Sequence, residues 1–332
     1  MAPPRAVRRA LMPVVVALEL AALALMMPLA VVGILTAPLD RRRRILRLAA
    51  MGGAYLSVEL VALGLLLGTW VRRPVRDAAV TRDDEVRILG WALDRILAAA
   101  RRTVGLRIAL PPVPPGSVLD GRDPVLVLAR HGGVGDSYTL VWLLAARFGR
   151  CPRVVLKRVL LWEPLIDVAL SRLGACFLPP STRAGPGRQA RVGALAADLR
   201  PGDALLLFPE GGNWTPHRRL AGLARQWAAR KPEAVRAAAL MEHVLLPRLG
   251  GVTACLEARP ALPVVVVAHT GLDTITSARG LWRALPFSAP MAIRWWPAAA
   301  PPPDGDERLA WLTTEWAVVD QWIDARRAGR PV

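Results

Sequence analysis

His131 and Asp136 are a pair whose types and spacing suit acid–base chemistry, and three of the four residues between them, Gly132, Gly133 and Gly135, are glycines. An imidazole accepts a proton near neutral pH, and a carboxylate at its other ring nitrogen fixes the tautomer that does so. The glycines allow the backbone to fold back so that the two side chains meet. The same residues also allow a plainer reading, with Asp136 as a helix N-cap and His131 as a satisfied polar group at a strand end. Three other motifs overlap the turn. Gly135-Asp136-Ser137 has the form of a Gly-Asp-Ser nucleophile block, but no Asp-x-x-His stands near the C-terminus. His131-Gly132-Gly133 has the form of an esterase oxyanion loop, without a Gly-x-Ser-x-Gly elbow to follow it. Gly133-x-Gly135 lacks the third glycine of a dinucleotide fingerprint.

The elements that must position this pair are a strand and a helix. Val125–Ala129 is a continuous apolar run and predicts a buried strand, and the apolar run from Leu140 predicts a core-facing helix. His131 then stands at the carboxyl end of a strand, where open α/β sheets bind ligands, and Asp136 at a helix start, where the dipole favours its ionised form. A second strand of the same kind ends in Phe208-Pro209-Glu210-Gly211-Gly212-Asn213. A carboxylate there is costly without hydrogen bonds, so Glu210 either holds backbone amides of neighbouring loops or contacts substrate. Both strands are expected to end on one edge of a common sheet.

Composition sets the surroundings. Hydrophobic residues make up 53% of the 332, high for a soluble domain, and 44 Lys+Arg against 26 Asp+Glu give a net charge of +18, a balance that favours anionic partners. Cys151, Cys176 and Cys255 are isolated, and His131, His217, His243 and His269 have no ligand-like spacing, so neither a disulfide framework nor a metal site is expected. Apolar segments at residues 11–39, interrupted by Pro28, and 48–71 are long enough to enter a membrane. Arginines fill the loop between them (Arg41 to Arg44) and flank both ends, which fits either a spanning hairpin or one dipping into an anionic leaflet. Glu19 and Glu59, one in each segment, must face each other or water.

Residues 77–110 have helical periodicity, with Val86, Leu89, Leu93, Ile96 and Leu97 on one face. A proline-rich linker follows at 111–116. Beyond it strand-like and helix-like runs alternate, and residues 306–328 form a last helix with Leu309, Leu312, Trp316, Val319 and Ile323 at helical spacing. The expected fold class is α/β, with a central, largely parallel sheet flanked by helices and preceded by a two-helix membrane hairpin. The expected division is hairpin 1–76, connecting helix and linker 77–118, and catalytic domain 119–332.

The two turns together resemble a known family. His131-Gly-Gly-Val-Gly-Asp136 resembles the His-x4-Asp motif of the glycerolipid acyltransferases, and Phe208-Pro209-Glu210-Gly211 resembles their Phe-Pro-Glu-Gly-Thr-Arg block. Lys157-Arg158-Val159-Leu160 with Pro164 is similar to the second family motif, and Leu262-Pro263-Val264-Val265 to the fourth. Leu245-Leu246-Pro247-Arg248 with Gly250 is similar to the branch holding eukaryotic lysophosphatidic acid and lysocardiolipin acyltransferases. The resemblance implies that His131 is the general base, Asp136 its orienting partner and Lys157 a contact of the acceptor phosphate, with Glu210, Gly211, Gly212 and Asn213 lining the substrate. It implies one displacement on an acyl thioester, with the oxyanion met by backbone N–H groups around Gly132 to Gly135 and no acyl-enzyme. Gly212-Asn213 replaces the family's Thr-Arg, so the phosphate arginine must come from elsewhere, with Arg183, Arg188, Arg218 and Arg219 as candidates.

The activity expected from the resemblance is that of a 1-acylglycerol-3-phosphate O-acyltransferase in phospholipid biosynthesis. Its co-substrate would be acyl-CoA or acyl carrier protein, with no metal or cofactor. The expected location is the inner membrane, with membrane lipids and a lysophospholipid as partners and the catalytic domain on the cytoplasmic side. The alternative is an acceptor with a larger headgroup, or a glycolipid. A remote rival from another class is a basic, membrane-tethered nucleic-acid-binding protein. The arginines are dispersed, however, and no nucleic-acid motif is present, so no nucleic acid is expected.

Overall fold

The computed structural model describes residues 3–113, 116–133, 135–179, 186–273, 275 and 277–330. In chain order the elements are α1 (Arg5–Leu35), α2 (Arg44–Arg72), α3 (Ala78–Thr103), β1 (Ile108–Ala109), β2 (Val125–Ala129), α4 (Asp136–Trp142), β3 (Cys151–Lys157), β4 (Cys176–Leu178), α5 (Pro186–Ala197), β5 (Asp203–Leu207), α6 (Pro216–Ala228), α7 (Pro232–Leu240), α8 (Leu249–Ala258), β6 (Val264–Thr270), α9 (Ala278–Ala284), β7 (Met291–Pro297) and α10 (Gly305–Arg327). The fold class is α/β, a mixed and mostly parallel set of strands flanked by helices. The chain forms two compact units, one of residues 1–107, 138–182 and 277–290 and the other of 108–137, 183–276 and 291–332.

The first unit is built on the N-terminal helices. α1 has 31 residues and α2 has 29, each more than the roughly 20 that cross a bilayer core. Their outer faces carry bare apolar side chains, Leu18, Leu25, Met27 and Leu35 on α1 and Leu65, Leu67, Trp70 and Val71 on α2, as lipid-facing helices require. The arginine-rich loop is a tight turn in which the Asp40 carboxylate accepts the N–H groups of Arg42 and Arg44. Pro28 does not interrupt α1, contrary to expectation. It removes one backbone hydrogen bond, and in an apolar helix the remaining bonds have no competing water to lose them to. Glu59 is buried and accepts the Leu165 N–H at 3.3 Å, so its carboxylate faces protein.

α2 packs on α3, whose buried Val86, Leu89, Leu93 and Ile96 form the face the spacing predicts. Asp77 caps α3 by accepting the Ala79 N–H at 2.7 Å. The helix stops at Thr103, short of residue 110, because Ile108 and Ala109 pair with Met291 and Ala292 as a strand. Buried Glu85 is met by Arg73 at 2.9 Å and Arg172 at 3.3 Å, and Arg8 pairs with Asp167 through two bonds of 2.6 and 2.8 Å. The strands of this unit, β3 and β4, are parallel.

The second unit holds the sheet that carries the two polar turns, in strand order β1-β7-β6-β2-β5. β2 runs parallel to β5 on one side and to β6 on the other, and every residue of the three is buried, which explains their unbroken apolar runs. β7 pairs with β6 antiparallel. The sequence reading missed it, since Arg294, Trp295 and Trp296 lie on its more exposed half and blunt the strand signal. α5 packs on α8, and α10 on α8 and β6. On α10 the buried stripe is Leu312, Trp316, Val319 and Ile323, with Leu309 outside it.

The bare apolar length of α1 and α2 predicts that the full-length protein stays in the membrane pellet after alkaline carbonate extraction. Its complete release into the wash would show that the two helices do not anchor it.

Candidate active site

The registers of the three parallel strands align three polar residues. β2 pairs with β5 so that Leu128 is opposite Leu207, and with β6 so that Ala129 is opposite Val267. Continued along each chain, the same register puts His131, Glu210 and His269 at one level, just where the sheet gives way to loops.

His131 is held at four points. Its N–H donates to Glu210 Oε1 at 3.0 Å, and its carbonyl accepts the Trp214 N–H at 2.7 Å. Phe208 lies against the imidazole with ring centroids 4.5 Å apart. The ring's Nδ1 is buried and faces Asp136 Oδ2 at 3.8 Å, an ion-pair distance longer than a hydrogen bond. Nε2 is the ring nitrogen left open to solvent, the side chain being 16% exposed. A proton on Nδ1 would point to the carboxylate and leave the Nε2 lone pair outward, the tautomer of a general base. Catalytic hydrogen bonds are often long before substrate binds.

Asp136 begins α4 and is fully buried. Its Oδ2 accepts the Gly133 N–H, which removes that amide from the expected set of oxyanion donors, and lies 3.6 Å from His269 Nε2. Burial alone would raise the Asp136 carboxyl. The imidazoles of His269 and His131 and the Gly133 amide outweigh it and hold the group below the ordinary range. His269 is itself pushed toward the neutral form, by burial first and by Arg130 as well, with Asp136 pulling the other way. Its Nε2 is 2.9 Å from the Arg130 carbonyl, which only accepts, so Nε2–H is the donor and His269 presents this N–H beside Asp136.

Arg130, between β2 and His131, is completely buried. It donates to the His243 carbonyl at 2.7 and 3.1 Å, to the His269 carbonyl at 3.0 Å and to Asp273 at 3.0 Å. Asp273 also receives Arg327 of α10, and these charges and amides hold its carboxyl well below the ordinary range despite burial. Gly132 must be glycine here, because a Cβ would lie 2.5 Å from Arg130 Nη1.

Glu210 accepts His131 N–H through Oε1 and Leu245 N–H, at 2.9 Å, through Oε2. Of its two expected roles, the structure shows the holding of loop amides. Burial pushes its carboxyl up to about 7, with Arg130 and the two amides resisting. Gly211 has φ +70, a left-handed conformation that suits glycine, and Gly212 is buried against Arg218. Asn213 is partly exposed, and its carbonyl accepts Arg218 Nη1 at 3.0 Å. Arg248, whose N–H donates to the Pro209 carbonyl at 2.9 Å, brings its guanidinium to 3.2 Å from where a Gly211 Cβ would be.

The expected residues thus fall into three groups. His131, Asp136, Glu210, Gly211, Gly212 and Asn213 come together in the second unit. Lys157 stands exposed at the carboxyl end of β3 in the first unit, and Arg183 lies outside the described residues. Arg219 is committed to the carbonyls of Met241 and Ala239 at 2.7 and 2.9 Å. Sequence reasoning missed Arg130, His269 and Asp273. The available signal was positional, since Arg130 and His269 stand at the ends of buried β runs as His131 does.

The raised carboxyl of Glu210 predicts a pH effect on stability. The folded state holds this proton more tightly than the unfolded chain, whose value is near 4.5. The contribution is therefore fully present below about pH 4.5 and is lost as pH rises through about 7, on the order of 3 kcal/mol in all. Thermal unfolding from about pH 5 to about pH 8.5 should lower the wild type more than Glu210→Gln. Parallel curves would refute a titrating Glu210.

Residues 111–269 match the family model described as Acyltransferase. No curated protein matches the chain. The matched segment begins just after β1 and ends at His269, and so contains His131, Asp136, Lys157 and Glu210. These residues, just under half of the chain, match the acyltransferase family that includes the glycerolipid acyltransferases.

Proposed function

We propose that the protein transfers a fatty acyl group from acyl-CoA or acyl carrier protein to the free hydroxyl of lysophosphatidic acid, at the cytoplasmic face of an inner membrane. The observation that carries this reading is the placement of His131, with Nδ1 turned to Asp136 and Nε2 to solvent at the carboxyl end of β2. Nε2 would take the hydroxyl proton as the oxygen attacks the thioester carbonyl. The C–S bond then breaks, and the departing sulfur takes the proton back. This balances without an acyl-enzyme, a metal or a redox cofactor.

The acceptor phosphate needs cations. Arg248 and Arg218 flank Gly211 and Gly212, and neither is ion-paired to a carboxylate among the described residues. We assign to them the work of the arginine that Asn213 replaces, with Lys157 as a further phosphate contact. An arginine offers two parallel charge-assisted bonds to a phosphate, which a neutral amide does not. A second reading, an acceptor with a headgroup beyond its phosphate, is favoured by Asn213 itself, which leaves room where the family has a long cation.

His131→Ala should lower acyl transfer by roughly 10²–10⁴-fold with folding and membrane attachment intact, and Asp136→Asn should be severely impaired through the ring's orientation. Radiolabelled acyl-CoA supplied with lysophosphatidic acid measures both, and near-wild-type turnover of His131→Ala would sink the mechanism.

Asn213→Arg discriminates the acceptors. With lysophosphatidic acid it should be tolerated or helpful, and with lysophosphatidylglycerol or lysophosphatidylinositol it should block transfer. A wild type that prefers the larger acceptors and loses only those on Asn213→Arg would replace the first reading with the second.

A further inference from the structure

Between Asn213 and Leu245, Glu210's second amide partner, the chain makes an excursion of two helices, α6 and α7, of which the proposed chemistry uses only Arg218 in the first turn of α6. Thr215 caps α6 by accepting the Arg218 N–H at 3.1 Å, and Pro216 and Pro232 open the two helices. Arg219 closes the hairpin by bonding the Ala239 and Met241 carbonyls at its far end. The pair is therefore a built element.

Its surface is unusual for a soluble face. Among the described residues of the second unit, the three most exposed large apolar side chains all lie here: Leu240 at 81%, Trp227 at 75% and Leu220 at 60%. Leu220 and Trp227 are seven residues apart, two turns along one face of α6. Charge accompanies them. Residues 216–240 hold six Lys and Arg and a single acid, Glu233. Arg230, Lys231 and Arg236 line a shallow cleft together with Trp227 and Val235. A tryptophan and leucines bordered by unpaired cations match the boundary between headgroups and acyl chains, where an indole sits at the polar level and arginines meet lipid phosphates.

We infer that α6 and α7 form an interfacial element that rests in the surface of an anionic bilayer, with Leu220 and Leu240 below the headgroups, Trp227 at the boundary between headgroups and acyl chains, and Arg230, Lys231 and Arg236 among the headgroups. The occupant is a lipid surface, on two grounds. Among the described residues none of Arg230, Lys231 and Arg236 is ion-paired to a carboxylate, and α1 and α2 are long and apolar enough to bring the protein to a membrane. The element is separate from that anchor in sequence and lies in the other unit. Because it starts directly after Asn213, it would hold the Gly211–Asn213 turn at the depth where a lipid acceptor presents its phosphate.

The test uses the full-length protein in nanodiscs, with an environment-sensitive fluorophore on Trp227→Cys in a Cys176→Ala background, Cys151 and Cys255 being buried. A label on Leu309→Cys, on the exposed side of α10, is the control. In phosphatidylglycerol nanodiscs the Trp227→Cys label should be quenched by lipids spin-labelled high on the chain. Its iodide quenching should be several-fold weaker than the control's, and the protection should shrink in phosphatidylcholine alone. Equal iodide access at both sites, or no quenching by spin-labelled lipid, would overturn the inference. Protection from iodide without spin-label quenching would mean that protein, not lipid, covers the face, and would overturn it too. None of these readouts involves acyl transfer, so they stand whether or not lysophosphatidic acid is the acceptor.

Discussion

A guanidinium fully removed from water costs several kcal/mol unless nearly all of its N–H groups find acceptors, and Arg130 imposes that condition on the loops around it. Its acceptors are the carbonyls of His243 and His269 and the carboxylate of Asp273, which come from two separate segments of the second unit, the stretch after α7 and the end of β6 with its following turn. Each must arrive for the charge to be tolerated. Asp273 in turn recruits Arg327, whose Nη1 donates to His243 Nδ1 at 2.9 Å, so the last helix is tied into the same network. Arg130 directly precedes His131, and the proposed base therefore inherits its position from a cluster that the proposed reaction does not use. Truncating a buried charge of this kind leaves its partners uncompensated, typically at 3–5 kcal/mol or about that order.

The second constraint is register. In a parallel sheet the level of a residue along its strand is fixed by the ladder, and the registers of β2, β5 and β6, continued past the strand ends of β2 and β5, bring His131 and Glu210 level with His269. The consequence is a division of labour between two carboxyl groups. Glu210 grips backbone amides, and burial leaves it near neutrality. Asp136 sits among two imidazoles and an amide that favour its charge. Only the second is suited to steady an imidazolium as it forms. His269, which burial pushes toward the neutral form and Asp136 pulls back, donates Nε2–H to the Arg130 carbonyl and sets that N–H beside Asp136.

Much of this arrangement was legible in the residues. Unbroken apolar runs marked β2, β5 and β6 because strands buried on both faces need no alternation, and the polar residues that ended the runs marked the site. β7 was hidden because one half of it is exposed and carries Arg294 and two tryptophans. His269 was hidden for a different reason: its role depends on which strands are neighbours, and strand order is a non-local fact that spacing does not encode. The same holds for Arg130, whose acceptors lie more than a hundred residues away in sequence. Pro28 misled in the opposite direction, since a rule drawn from helices in water was applied to one long and apolar enough to cross a membrane.

The replacement of the family's Thr-Arg by Gly212-Asn213 has a structural counterpart that explains how the site can remain basic. Leu245 is bound by Glu210, and Arg248 is bound to the Pro209 carbonyl, so the Phe-Pro-Glu-Gly turn and the 245–248 segment fold as one piece. That piece delivers the Arg248 side chain to Gly211. Burial, followed by the repulsion of Arg225, Arg188 and Arg218, lowers Arg248 from its usual value, the mark of cations gathered without an acid among them. Arg248 thus feels the charge of three other arginines, and an anion bound to it would relieve that repulsion. In the proposed assignment, the charge that Asn213 lacks comes from Arg248, which Glu210 positions indirectly through its hold on Leu245. With the arginine arriving from a different segment, the space beside Asn213 is set by a short amide, and the site's charge and its shape can vary independently.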